Sequence, residues 1–184
     1  MQLRDGVHLF SATDLVGFLE CEHLTVLDRQ SLHDADARAS KSAPDESAAL
    51  IASKGDEHER AYLGRLRAEG RVVIDIATDG GGTDDKVART LAAMRRGVEV
   101  IYQATLRDGQ LFGHADFLMR VDGEASNLGP WRYEVADTKL ARSPKAKFLV
   151  QLAFYSHLLA LAQGAEPRQM HVVLVSSPAI NWHK

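Results

Sequence analysis

One cysteine, Cys21, is all the chain has among 184 residues. An internal disulfide is excluded, and the composition fits a reducing compartment, so a cytoplasmic location is expected. Long apolar runs are missing as well. The N-terminal MQLRDGVHLF carries no signal-peptide pattern, and the longest apolar region, 148–162, is interrupted by Gln151, Ser156 and His157. It is too short and too polar to span a bilayer, and no membrane partner is expected. Nor is there an excess of basic charge. The formal net charge is −3 and the pI about 6.2, which excludes a protein that binds nucleic acid through its overall charge. A local positive stretch exists, because Arg132, Lys139, Arg142, Lys145 and Lys147 face only Glu134 and Asp137. It reads equally as a nucleic-acid groove or as a solvated loop rim. Repeats and low-complexity tracts are absent. The Gly80-Gly81-Gly82 run is followed by no Gly-Lys-Ser/Thr, so it is not a phosphate-binding loop.

What is present suits an ordinary globular core, with 45% hydrophobic and 26% charged residues. The length predicts one domain, residues 1–184. A short strand near Val7–Phe10 leads to Ser11, an N-cap with Asp14 three residues on, and to one helix running through Leu15, Phe18 and Leu19 towards Leu27. Residues 33–47 are polar and aperiodic and read as a loop. Pro44 opens a second helix that stops at Gly70. RVVIDIA, 71–77, reads as a strand, and Thr83 or Asp84 caps a helix ending near Gly97. Two apolar runs then flank Asp108-Gly109, a strong hairpin signal. The run WRYEVADTKLA adds a strand, 144–163 a helix, and QMHVVLV a last strand. The order predicts an α/β fold, a mixed β-sheet flanked by helices.

Two acidic positions stand out. In a strand, Asp137 and Lys139 point the same way, about 7 Å apart. A carboxylate there suits a divalent metal, and an ammonium beside it suits a phosphate or the attacking water. The same acidic-x-Lys triplet recurs at Asp84-Asp85-Lys86, but at a helix start, where rotation separates Asp84 from Lys86. Only Asp137 and Lys139 fall in a core strand, where charge is costly without a partner. Asp116, in Gly113-His114-Ala115-Asp116-Phe117-Leu118, is the second anomaly, since Asp is depleted in strands. If its strand pairs with 131–139, the two carboxylates converge. Taken singly, Asp116 reads as a hydrogen-bonded residue at a strand bend.

GHADFL, the strand YEVADTK and the helix KFLVQLAFYSHLL together resemble the RecB-like branch of the PD-(D/E)XK nucleases. That branch carries a Gly-x-x-Asp element, an Asp-x-Lys strand and a Gln-x-x-x-Tyr helix, here Gln151 to Tyr155. CEHLTVLDR and KGDEHERAYL resemble a subgroup related to the CRISPR adaptation nucleases. The likeness runs over most of residues 11–175. It implies a restriction-endonuclease-like fold and a metal-dependent DNA nuclease, exonuclease in type, serving repair, recombination or defence. Mg²⁺ or Mn²⁺ would be the cofactor. The implied partners are DNA, single-stranded or with free ends, and a helicase partner or fused domain. An RNA-cutting nuclease of the same superfamily and a catalytically silent nucleic-acid-binding module are the alternatives.

The resemblance assigns Asp116, Asp137 and His58 to the metal, aided by the main-chain carbonyl of Thr138, with Lys139 acting on water and phosphate. His58 shares a helical stripe with Ile51 and Tyr62 and so faces inward, as a ligand or as a hydrogen-bonded core histidine. Glu57 and Glu59 read as a solvated face. Gln151 and Tyr155 are neighbours on one helix face, lining the site by the resemblance and ordinary packing otherwise. The other histidines (8, 23, 33, 114, 157, 171, 183) show no ligand spacing. Some relatives hold an iron–sulfur cluster through one early cysteine and three near the C-terminus. Cys21 matches the first, but the other three are lacking, so no cluster is expected in this chain. The end at SSPAINWHK suggests a missing C-terminal extension or a reduced relative.

Overall fold

The computed structural model describes residues 1–42, 45–78 and 80–175, together with the backbone of 180–183. Eight strands and six helices are found among them. A hairpin of β1 (Gln2–Arg4) and β2 (Val7–Leu9) precedes helices α1 (Ala12–Glu20), α2 (Glu22–His33), α3 (Ala35–Ala39) and α4 (Glu46–Ala68). Strand β3 (Val73–Asp75) and helix α5 (Thr83–Arg95) lead into a meander of β4 (Val100–Asp108), β5 (Leu111–Ser126) and β6 (Gly129–Lys139). Helix α6 (Ala146–Gln163), β7 (Gln169–Leu174) and β8 (Ile180–His183) complete the chain.

Six strands form one mixed sheet in the order β3-β4-β5-β6-β7-β8. The meander β4-β5-β6 is antiparallel, whereas β3 runs parallel to β4 and β7 parallel to β6. A parallel neighbour needs a long crossover, and α6 supplies it between β6 and β7. Alternation along the strands sorts the core into two layers. Ile101, Leu118 and Val135 pack with Leu152, Leu158 and Leu159 of α6 and with Ala93 and Met94 of α5. Their sequence neighbours Val100, Phe117 and Ala136 pack instead against Leu63 and Leu66 of α4. The sheet is thus covered on both faces, and α6 ends on Gly164, whose φ of 65° is a left-handed cap that glycine adopts without strain.

Several expected boundaries need correction. The single helix through Leu27 is two helices, because Cys21 adopts an extended conformation (φ −162°, ψ 104°) and ends α1. Residues 33–47 are not all loop. The Asp34 side chain accepts bonds from Asp36 N and Ala37 N and so starts α3. The helix opening expected at Pro44 lies outside the described residues, and Asp45 is the N-cap of α4. Strand 71–77 shortens to β3, and Gly82 caps α5. Ile51 is 62% exposed, so the inward stripe of α4 begins later, near Tyr62, Leu63 and Leu66. None of the described helices is long and apolar enough to cross a membrane.

Candidate metal and phosphate site

Strands β5 and β6 pair in register down to Phe117↔Ala136. The next residues, Asp116 and Asp137, would oppose each other, but there the ladder stops. The Asp116 side chain takes over the role of a strand partner: Thr138 donates to Asp116 Oδ2 from its backbone N at 2.8 Å and from Oγ1 at 2.9 Å. On the other side, β4 pairs with β5 at Tyr102↔Phe117 and again at Ala104↔Ala115. Between them Gln103, opposite Asp116, has φ of 53°. A side-chain-bearing residue in that region costs about 1–2 kcal/mol. The distortion falls beside the carboxylates, where the sheet opens.

Asp137 is 1% exposed, and neither of its carboxylate oxygens accepts a well-aligned hydrogen bond among the described residues. Lys139 Nζ stands 2.6 Å from Asp137 Oδ2, an ion pair formed off the hydrogen-bonding direction. The same ammonium lies 5.7 Å from the centroid of the Phe148 ring. Burial, then the charge of Asp137, push Asp116 up to about 7, against the opposing pull of Thr138 and Lys139. Burial also raises Asp137, although Lys139 works the other way. The effect is one-sided: the charge of Asp137 holds a proton on Asp116, while Asp116 favours the ionised Asp137 as a hydrogen-bonding neighbour.

Helix α6 closes one side. Gln151 Nε2 donates to the Tyr155 hydroxyl at 3.0 Å. Burial pushes that hydroxyl up to about 12, with further contributions from Asp137 and Asp116, so the tyrosine stands next to the acids. Its ring rests on Gly113, where a Cβ would come within 2.6 Å of the ring. Gly113 and Asp116 therefore belong to one construction. The glycine admits Tyr155, and three residues on the strand delivers its carboxylate.

Helix α4 closes the other side in a way the sequence did not reveal. His58 is half-buried, but its Nε2 lies 3.2 Å from the Val173 carbonyl of β7. Glu59, expected on a solvated face, is half-buried instead. Gln103 Nε2 donates to Glu59 Oε1, Tyr102 is a second hydrogen-bonding neighbour, and burial followed by the charge of Asp116 raises its carboxyl. Among the described residues no three His, Cys, Asp or Glu side chains converge as a metal-holding group. The structure thus brings together Asp116, Asp137, Lys139, Gln151 and Tyr155, with Glu59 at the margin and His58 engaged on β7.

Asp85 caps Gly82 N at 3.0 Å and Asp84 pairs with Arg107 at 2.8 Å, so the second acidic-x-Lys triplet serves a helix start. The positive stretch is partly compensated, since Arg132 pairs with Glu124 and Lys147 with Glu20. Arg142 and Lys145 are exposed on the β6–α6 connection. Cys21 is exposed at the α1–α2 joint. His8 and His33, 25 residues apart, bring their Nε2 atoms to 3.0 Å, a contact that only the fold reveals. His171 pairs with the buried Glu134 at 2.8 Å. A hollow of about 410 Å³, lined by Phe10, Leu15, Phe18, Leu111 and Phe154, contains none of the acids of the β5–β6 gap. Its apolar walls offer no chemistry, so the carboxylates and not the hollow define the site. The chain matches no family model and no curated protein.

Proposed function

We propose that the protein is a divalent-metal-dependent DNA nuclease with a restriction-endonuclease-like fold, of the RecB-like branch of the PD-(D/E)XK superfamily. One observation carries the reading: Asp137 is almost wholly buried beside Asp116, and among the described residues its oxygens accept no well-aligned hydrogen bond, with only the ion pair to Lys139 at 2.6 Å. A buried carboxylate whose one ionic partner, Lys139, is poorly aligned is costly, and a cation between the two acids lowers that cost. The donor set is all oxygen, which suits Mg²⁺ or Mn²⁺. Asp116 and Asp137 would hold the ion with the Thr138 carbonyl. When bound, such an ion supplies positive charge to a phosphate oxygen and acidifies a water.

The chain's own groups do the rest. Asp116 is fixed by two bonds from Thr138, so one oxygen is oriented and the other is left for the cation. Lys139 presents an ammonium where negative charge would build on the phosphate. The Gln151–Tyr155 pair walls the site from α6. The exposed Arg142 and Lys145, just past Lys139 in the chain, supply contacts for a phosphate backbone despite the net negative charge.

A silent nucleic-acid-binding module is the second reading. The engagement of His58 with Val173 favours it, and among the described residues no three ligand side chains converge. Labelled single- and double-stranded DNA and RNA, each incubated with Mg²⁺, Mn²⁺ or EDTA, separate the readings. The nuclease cuts DNA with metal and not with EDTA, and Lys139→Ala loses cleavage while keeping DNA binding. Binding without cleavage under every metal selects the module, and cleavage of RNA alone selects the RNA-cutting alternative.

A further inference from the structure

We propose that the hollow between α1, α2 and α6 takes an unpaired base of the DNA strand and holds it by aromatic stacking. The inference deepens the nuclease reading and rests on it. The hollow, about 410 Å³, is walled by Phe10, Phe18 and Phe154 with Leu15 and Leu111. Its size lies within the range of small-molecule sites, about 300–1,000 Å³. Leu15 is 38% and Phe18 44% exposed, so two of the walls stand open to solvent rather than closed on the core. Three separate segments bring the rings together: Phe10 follows β2, Phe18 belongs to α1 and Phe154 to α6. Every base has a π-face that stacks on such rings whatever its sequence. Thr25 of α2 adds a hydroxyl that makes no hydrogen bond with the described residues, a donor and acceptor for a base edge.

Place and charge select a nucleotide over an apolar peptide or a second copy of the chain. Phe154 and Tyr155 are consecutive on α6, with ring centroids 6.1 Å apart. Phe154 lines the hollow, while Tyr155 stands next to Asp116 and Asp137. Strand β5 repeats the arrangement: Leu111 lines the hollow, and Gly113, about 7 Å further on, carries the Tyr155 ring. A base in the hollow and a phosphate at the carboxylates therefore fit one short strand. A second hollow shares Met1 and Asp14 with the first and reaches Lys147, and a third joins Lys147 to Lys145. The acids on their walls are paired, Asp14 with the Met1 ammonium, Glu20 with Lys147 and Asp28 with Lys41. Lys145 and Arg142 pair with no anion among the described residues, which leaves a positive border for the backbone of a strand whose base lies in the apolar hollow. A base stacked and paired inside a duplex cannot enter, so the strand taken is single or frayed.

The test is fluorescence anisotropy of a short labelled DNA single strand, in EDTA so that nothing is cut, on the full chain as wild type, Phe18→Leu and Phe18→Tyr. Phe18→Leu keeps the apolar wall and removes the aromatic face, and it should weaken binding about tenfold. Phe18→Tyr should stay within about twofold of wild type. A blunt duplex should bind wild type and Phe18→Leu alike. An abasic version of the strand needs no variant: it should bind wild type about tenfold more weakly than the intact strand and narrow the gap to Phe18→Leu. Equal binding of the intact strand by wild type and Phe18→Leu, equal binding of intact and abasic strands by wild type, or no binding of single strands at all overturns the subsite. Concentration-dependent dimerisation of wild type in size-exclusion chromatography, lost in Phe18→Leu, also overturns it and gives the hollow to a second copy. Base-dependent binding without cleavage under any metal leaves the subsite standing and overturns the nuclease reading. Cleavage indifferent to Phe18 does the reverse.

Discussion

Four residues before Asp137 on β6, Tyr133 is met by Gln163 of α6, which is 0% exposed with every polar atom of its side chain used. It accepts from Tyr133 N at 2.7 Å and donates to Tyr133 O at 3.2 Å and Ala165 O at 2.9 Å. Asp137 is as deeply buried, yet both its oxygens lack a well-aligned donor. Buried polar side chains along β6 are therefore of two kinds. Gln163 belongs to the architecture, since it ties α6 to β6 and leaves nothing over for a ligand. Asp137 is incomplete, and incompleteness at that depth is tolerated where something else completes it. Burial alone does not distinguish a structural polar group from a functional one; satisfaction does.

The largest expected effect lies beside the incomplete acid. Lys139→Ala should lower cleavage by about 10²–10³, or roughly 3–4 kcal/mol, because the ammonium acts on charge that develops in the transition state. Filter binding of DNA should change little, as one phosphate contact is a small part of affinity.

The pH dependence of the metal-free protein sharpens the contrast. Asp116 has a raised folded pKa, so below about 7 the native state keeps a proton that the unfolded chain has released. Its stabilising contribution is therefore full in acid and is lost as pH rises through about 7, on the order of a few kcal/mol. Urea unfolding across that range should show the fall in wild type and a much flatter profile in Asp116→Asn. Gln163 does not titrate, and Gln163→Ala should cost about 2 kcal/mol at every pH, because Tyr133 is left with buried, unpaired backbone groups. The smallest effect tests the wall beside the acids. Gly113→Ala drives a methyl against the Tyr155 ring and should cost about 1–2 kcal/mol in the same measurement, with a changed near-UV tyrosine signal.

Much of the sheet was legible because its signals are local. Asp108-Gly109 marks the β4–β5 hairpin, and alternation marks β5 and β6. The same Asp-Gly pair at Asp5-Gly6 marks the β1–β2 hairpin, and it escaped notice because three-residue strands carry no periodicity. Strand β8, only four residues long, escaped for the same reason. Helix α3 had a readable cap in Asp34, hidden by the polarity around it. At the site, strand parity correctly grouped Asp137 with Lys139. The Asp116–Thr138 bonds and the strained Gln103 depend on where two ladders part, which no spacing encodes. Glu59 was misread because a helical wheel assumes one inward direction. Helix α4 crosses a sheet, and two adjacent positions reach strands on opposite sides of β6 and β5.

The measurement closest to the central claim is thermal melting of wild type and Asp137→Asn at pH 8, with and without Mn²⁺. An acid completed by a cation should make the wild type the less stable of the two without metal and the more stable with it. At a hundredfold excess over Kd, Mn²⁺ should add about 2.7 kcal/mol to the wild type and far less to Asp137→Asn. If Asp137→Asn is destabilised without metal and Mn²⁺ raises both proteins equally or neither, Asp137 is a structural group like Gln163, and the account is wrong.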